Sequence, residues 1–165
     1  MKRDSKTTRF PELLGRVSEI VEQPVSLAGK LQEVAALLKE DVDHYDWVGF
    51  YLVDQLKKDE LVLGPFVGEP TEHIRIAFGH GICGQAAERK ETFMVEDVSR
   101  ETNYLSCSPD VKSEIVVPIF VGEEVVGELD IDSHRISPFA AGEREFLEKV
   151  CDMLSGHFKD PGPRT

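Results

Sequence analysis

The stretch "EIVVPIFVGEEVVGELDIDS", residues 114–133, decides how this chain is read. Two runs rich in β-branched residues flank Gly122 and Glu123, which predicts a β-hairpin. In the second arm Glu128, Asp130 and Asp132 alternate with Leu129 and Ile131. A strand sends alternate side chains to one face ~6.5 Å apart, so the three acids share a side. Like charges stacked along a strand are mildly unfavourable, and a cation among them removes the penalty. A solvated acidic face is the bland alternative. The register of Glu114 has two solutions. A two-residue loop pairs Val121 with Glu124 and sets Glu114 opposite Ile131, facing away from Asp130 and Asp132. A bulge near Pro118 reverses that facing, and a proline that donates no ladder bond suits such an irregularity.

Working outward, "DWVGFYLVD" (46–54), "ELVLGPFVG" (60–68), "HIRIAF" (73–78) and "TFMVED" (92–97) read as four further strands. "GHGICGQAAERK" (79–90) begins as a glycine-rich loop and becomes a short helix. Two helices precede the strands: "RFPELLGRVSEIVEQ" (9–23), with Pro11 as an early helical residue, and "SLAGKLQEVAALLKEDV" (26–42). A last helix is expected from Ser137, with Ser as cap and Pro138 at the first position. This order predicts an α+β fold: a mostly antiparallel sheet of about six strands, with the N- and C-terminal helices packed on one face. One domain is expected, with a core over about 10–158 and a loose tail at 159–165.

There are 31 acidic and 19 basic side chains, a formal net charge of −12. Such a surface repels phosphate, so nucleic acid and anionic membranes are not expected partners. Small cationic or zwitterionic ligands are. No apolar run approaches the ~20 residues of a membrane span. The segment after "MKRDSKTTRF" lacks an apolar core, so no signal peptide is read and the cytoplasm is the expected compartment. Thiols there are reduced, so a disulfide would be transient and catalytic.

The three cysteines differ. Cys151 belongs to a helical stripe with Phe146, Leu147, Val150 and Leu154, and is read as core. Cys83 stands where a helix begins, and free N–H groups there are expected to lower its pKa. Its bland reading is a small residue filling a tight turn. Cys107 sits in a polar loop just before the hairpin, where reactive groups are tolerated. Pairing of Cys83 with Cys107 needs that loop to fold back. Trp47, Gly49 and Tyr51 share a strand face, either as core or as an aromatic wall beside a glycine that admits a ligand. No metal is expected, since the acids show no EF-hand spacing.

Taken together, "WVGFYLV", "LVLGPFVG", "IRIAFGHGICGQA", "VEDV", "SCSPDVKSEIVVPIF" and "VVGELDIDS" resemble the GAF-domain free methionine-(R)-sulfoxide reductases over about residues 10 to 155. The resemblance implies a GAF-like antiparallel sheet flanked by helices, and a homodimer. It implies reduction of free methionine-R-sulfoxide, with thioredoxin as external reductant and no bound cofactor. The family's two downstream cysteines fall on Cys83 and Cys107, its pocket glutamate on Glu114, its pocket aspartates on Asp130 and Asp132, and its tryptophan wall on Trp47, with Tyr51 nearby. In this reading Cys107, the thiol nearest the carboxylate cluster in sequence, is the nucleophile, Glu114 the proton donor and Cys83 the resolving thiol; exchanged roles for the two cysteines, or an external thiol that resolves Cys107, are the alternatives. Asp130 and Asp132 hold the substrate ammonium, and backbone N–H groups near Gly81 its carboxylate. Two departures stand out. Many members carry a third cysteine where this chain has His73, and many read "GHIACD" where it reads "NYLSCSP". The competing class is a non-catalytic GAF module that binds a small ligand or senses redox state.

Overall fold

The computed structural model describes residues 6–105 and 108–159, with side chains from residue 9 onward. Cys107 lies outside the described residues, as do residues 160–165 of the expected tail. The described elements run α1 (Lys6–Val21), α2 (Leu27–Asp41), β1 (Trp47–Val53), β2 (Glu60–Val67), β3 (Arg75–Ala77), α3 (Gly81–Arg89), β4 (Phe93–Val95), β5 (Ser113–Val121), β6 (Glu124–Ser133) and α4 (Glu143–Ser155). A 3-10 turn at Val98–Arg100, capped by the Asp97 side chain, has no counterpart among the expected elements.

The six strands form one sheet in the order β3-β2-β1-β6-β5-β4, and every neighbouring pair is antiparallel. Alternation gives the sheet two apolar faces. Val48, Phe50, Ile115, Val117, Leu129 and Ile131 pack with residues of α1, α2 and α4 in the larger core. Trp47, Tyr51 and Val116 point the other way, towards Ile82, Cys83, Ala86 and Ala87 of α3. The terminal helices thus share one face, as expected, and the mid-chain helix covers the other.

The hairpin adopts the bulged register. Val121 pairs with Glu124 and Phe120 with Val125, but Ile119 pairs with Gly127. Val126 is therefore the extra residue, and the slip brings Glu114 opposite Asp132. Pro118 is tolerated because β4 ends opposite Val116, so no strand borders β5 on that side at the proline.

Two helix starts differ from expectation. Pro11 is the sixth described residue of α1, whose described span opens at Lys6 rather than at Arg9. Ser137 does not cap the last helix. It has φ 52°, its N–H donates to Glu96 O (2.9 Å), and the helix begins only at Glu143 behind Gly142, with φ 83°. Glu143 is fully buried and ties this start to the α2–β1 connection. One carboxylate oxygen takes the Ala140 N–H (2.8 Å). The other lies 2.6 Å from His44 Nε2 and accepts from the Tyr45 hydroxyl at 2.7 Å. Burial first, and then the Glu143 charge, raises the Tyr45 pKa well above its ordinary value.

Among the described residues no helix is long and apolar enough to cross a membrane.

Candidate active site

Three elements meet on the α3 face of the sheet. Glu114 opens β5, Glu128, Asp130 and Asp132 line one side of β6, and Cys83 is the third residue of α3. The bulge at Val126 puts Glu114 on the same side as the β6 acids. Gly84 lets α3 sit close, since a β-carbon there would meet the Ala77 carbonyl oxygen at 2.5 Å.

The result is a buried acid–thiol cluster. The Cys83 thiol points at Glu114 Oε2, 3.9 Å away. Single donor atoms of Cys83, Glu114 and Asp130 all lie within 4.8 Å of one another. Glu114 is 5%, Asp130 1%, Asp132 2% and Glu128 0% exposed, so none of these charges is solvated. Glu114 stands opposite Asp132 across the β5–β6 ladder, and one of its oxygens lies within 4.8 Å of an Asp130 oxygen. Burial disfavours the ionised form of a carboxyl group, so protonated acid is favoured beside the thiol. Among the described residues, Asp130 Oδ1, Asp132 Oδ1 and both Glu128 oxygens have no hydrogen-bond partner.

The electrostatics follow from burial without countercharge. Among the described residues, no lysine or arginine lines the cleft in front of Cys83. Burial, reinforced for Glu128 and Asp132 by the Asp130 charge, raises the pKa values of Glu128, Asp130 and Asp132. Cys83 is likewise pushed well above the ordinary thiol value, by burial first and then by Asp130, Glu128 and Glu114. The expected lowering by the helix N-terminus is therefore overturned: desolvation and three acids outweigh the helix dipole. Cys83 rests as a thiol with bases at hand.

The cleft itself is lined by Tyr51, His73, Ile76, His80, Gly81, Ile82, Cys83, Leu105, Glu114 and Asp130, and encloses about 10 Å³. Leu105 covers it: a β-carbon on Gly81, whose φ is 66°, would meet Leu105 Cγ at 2.8 Å. Asn103 fastens this cover. Its Oδ1 accepts the Gly81 N–H and its Nδ2 donates to Gly79 O, both at 2.8 Å. The Gly81 N–H is thus engaged, leaving Ile82 and Cys83 as the first-turn N–H groups with no partner inside the helix. Leu105 stands two residues before Cys107 and Ser108 one after it.

Tyr51 lies at the cleft through its ring, and its hydroxyl donates to His73 O at 2.8 Å. His73 therefore lines the same space. Trp47 does not line it. Its ring stacks on Phe66, with centroids 5.4 Å apart, and its Nε1–H donates to Glu69 O at 2.9 Å. Gly49 makes room for this indole rather than for a ligand. Trp47 still adjoins the cluster, since it pairs with Asp132 and Gly49 with Asp130.

Sequence reasoning places Glu128 in the acidic run but gives it no role. Its full burial beside Cys83 is a consequence of α3 packing over the strand. Asn103 and Leu105 carry no signal beyond their nearness to Cys107. Cys151, read as core, is 2% exposed, and its thiol points at Val117 O. A larger cleft of about 490 Å³ lies by the β5–β6 turn, between the start of α2 and the residues that follow α4, and no cysteine among the described residues lines it.

Comparison with known proteins gives the chain its family. The family model for the GAF domain matches residues 26–158. GAF domain-containing protein A of Dictyostelium discoideum is 34% identical over 154 residues, 93% of this chain and 95% of that one. The free methionine-R-sulfoxide reductase of Escherichia coli is 33% identical over 150 residues, covering 91% of this chain and 88% of the enzyme. The X-ray structure of free methionine-R-sulfoxide reductase from Neisseria meningitidis in complex with its substrate superposes with a TM-score of 0.89 at 36% identity, covering 96% of this chain and 93% of that one. The chain belongs to the GAF-domain family of free methionine-R-sulfoxide reductases.

Proposed function

We propose that this chain reduces free methionine-R-sulfoxide to methionine, with Cys107 as nucleophile. The observation that carries the reading is the buried cluster of Cys83, Glu114, Asp130 and Asp132, which puts a thiol, carboxyl groups whose neutral form burial favours, and unpartnered carboxyl oxygens in one place. A sulfoxide needs all three. Its oxygen must be protonated before sulfur accepts a thiolate, and its amino-acid end must be held.

The α-ammonium is taken by Asp130 and Asp132, whose free oxygens become charge-assisted acceptors. Trp47, paired with Asp132, offers that end of the site an aromatic face. The α-carboxylate meets the first-turn N–H groups of α3. Entry of the substrate requires Leu105 to shift from Gly81, because the closed space is far smaller than an amino acid.

The Cys107 thiolate then attacks the sulfoxide sulfur while Glu114 protonates the oxygen. Oxygen passes to Cys107 as a sulfenic acid, and methionine leaves with a restored sulfur lone pair. Cys83 attacks the sulfenic sulfur and gives up its proton to a neighbouring carboxylate, and water departs as the disulfide forms. Thioredoxin supplies the two electrons and two protons that reopen it. With Cys151 buried in the other core and His73 in place of a third cysteine, Cys83 is the resolving thiol for Cys107.

The test is a thioredoxin-coupled assay on both sulfoxide epimers, free and peptide-bound. The free R epimer should turn over, and Cys107→Ser should abolish it. Glu114→Gln should lose at least ~10²-fold, the usual contribution of a positioned proton donor. Wild-type rates in Cys107→Ser would sink the mechanism.

A further inference from the structure

The same cleft holds a donor set of a different kind. Cys83 Sγ, one Glu114 oxygen and one Asp130 oxygen come from α3, β5 and β6, and all lie within 4.8 Å of one another. The sulfur–Oε2 distance is already 3.9 Å. A tetrahedral zinc ion, with bonds of ~2.3 Å to sulfur and ~2.0 Å to oxygen, spaces its donors ~3.3–3.5 Å apart. Side-chain movements of roughly 1 Å close the difference.

Two further observations point to a cation. The cleft that these three groups help to line holds about 10 Å³ in all, close to the room one water or one ion needs. Asp130 Oδ1 and both Glu128 oxygens are buried with no hydrogen-bond partner among the described residues, Asp130 being 1% and Glu128 0% exposed. A buried carboxyl oxygen without a partner is costly in either protonation state, and a divalent ion would both partner it and supply the countercharge for its ionised form. Calcium and magnesium demand six or more oxygen ligands or several waters, for which this space has no room. One sulfur with two oxygens suits a borderline-soft ion of low coordination number.

We propose that Cys83, Glu114 and Asp130 form a Zn²⁺-binding site, with Glu128 as a buried countercharge behind it. Binding releases the thiol proton, and any proton shared among the ligating carboxyls, to solvent. The bound ion occupies the groups that would otherwise meet methionine sulfoxide, so it excludes substrate. Metal binding itself needs no turnover.

The experiment titrates the reduced, metal-free full chain with Zn²⁺ against a chromophoric chelator. A parallel titration with Co²⁺ reads the thiolate-to-metal absorption band. One equivalent per chain is expected, with sulfur ligation, and Cys151→Ser should bind unchanged. Cys83→Ser and Asp130→Asn should each weaken binding at least ~10-fold, the loss seen for even an outer partner of a metal site. Cys83→Ser is the near-isosteric change, so it decides the question if Asp130→Asn fails to fold. Absence of stoichiometric binding, or undiminished binding in Cys83→Ser, overturns the site. A chain that binds zinc in this pattern but reduces no sulfoxide keeps the site and loses the reductase reading. A reductase that binds no zinc does the reverse.

Discussion

Gly49 is the residue that lets Trp47 lie flat beside the acid cluster. A β-carbon built there would stand 2.7 Å from Phe66 Cβ and 2.7 Å from Trp47 Cζ3, and closer still to Cη2. The indole has little room to retreat, since it stacks on Phe66 and also lies against Gly68, where a β-carbon would meet Trp47 Cδ1 at 2.6 Å. Gly49→Ala therefore forces the indole out. Overpacking of this kind costs ~1–3 kcal/mol. Loss of the Nε1–H bond to Glu69 adds about 1 kcal/mol, and loss of the Phe66 stack ~0.5–1.5 kcal/mol. Because these costs overlap, the sum is about 2–4 kcal/mol. Trp47 is the single tryptophan of the chain, so its own fluorescence reports unfolding. With a urea dependence of ~2 kcal/mol per molar, the midpoint should fall by ~1–2 M, and native emission should shift as the indole moves. A midpoint within ~0.25 M of wild type, with unshifted emission, would refute the packing argument.

Three other outcomes follow from the same structure. Asp132→Asn removes a buried like charge and should raise the melting temperature by a few degrees, about 1 kcal/mol, while cutting activity; a destabilised variant would contradict the charge argument. Glu143→Ala strands the buried His44 and Tyr45 and should cost about 3 kcal/mol or more in denaturant unfolding, whereas a loss under ~1 kcal/mol would show that the network is dispensable. Asp54 is held down to about 2, chiefly by its hydrogen bond from Arg75. A depressed carboxylate pKa means that this stabilisation is complete above the ordinary carboxylate range and is lost as pH falls through about 2. Arg75→Ala should return the Asp54 midpoint, read by NMR, towards the ordinary range, and an unchanged midpoint would remove Arg75 as the cause.

How far the sequence can be read depends on which signals are local. The alternation of Glu128, Asp130 and Asp132 is local, and it places the three acids on one face. The facing of Glu114 is not local. It turns on one extra residue in the opposite arm of the hairpin, Val126, which shows only as a slip in the ladder. Pro118 hints at an irregularity, yet the slip lies just beyond it, where the chain bends towards the turn. The Ser137–Pro138 pair imitates a helix start, but Phe139 packs into the larger core and Gly142 breaks the run. Gly142 inside the supposed helix is the available warning. The Glu143 network joins residues about a hundred positions apart, which no spacing rule reveals. The direction of the Cys83 pKa escapes the sequence for a related reason: a helix N-terminus is local, whereas the acids that outweigh it arrive from other strands.

The most direct test of the central claim is a single turnover without reductant. Fully reduced protein is mixed with excess free methionine-R-sulfoxide, and both methionine and intact protein mass are measured. The account predicts about one methionine per chain together with a mass loss of ~2 Da, the two hydrogens given up as a disulfide forms. Peptide mapping should then join Cys83 to Cys107. Methionine formed with no change in mass, or a disulfide that excludes Cys83, would contradict the account.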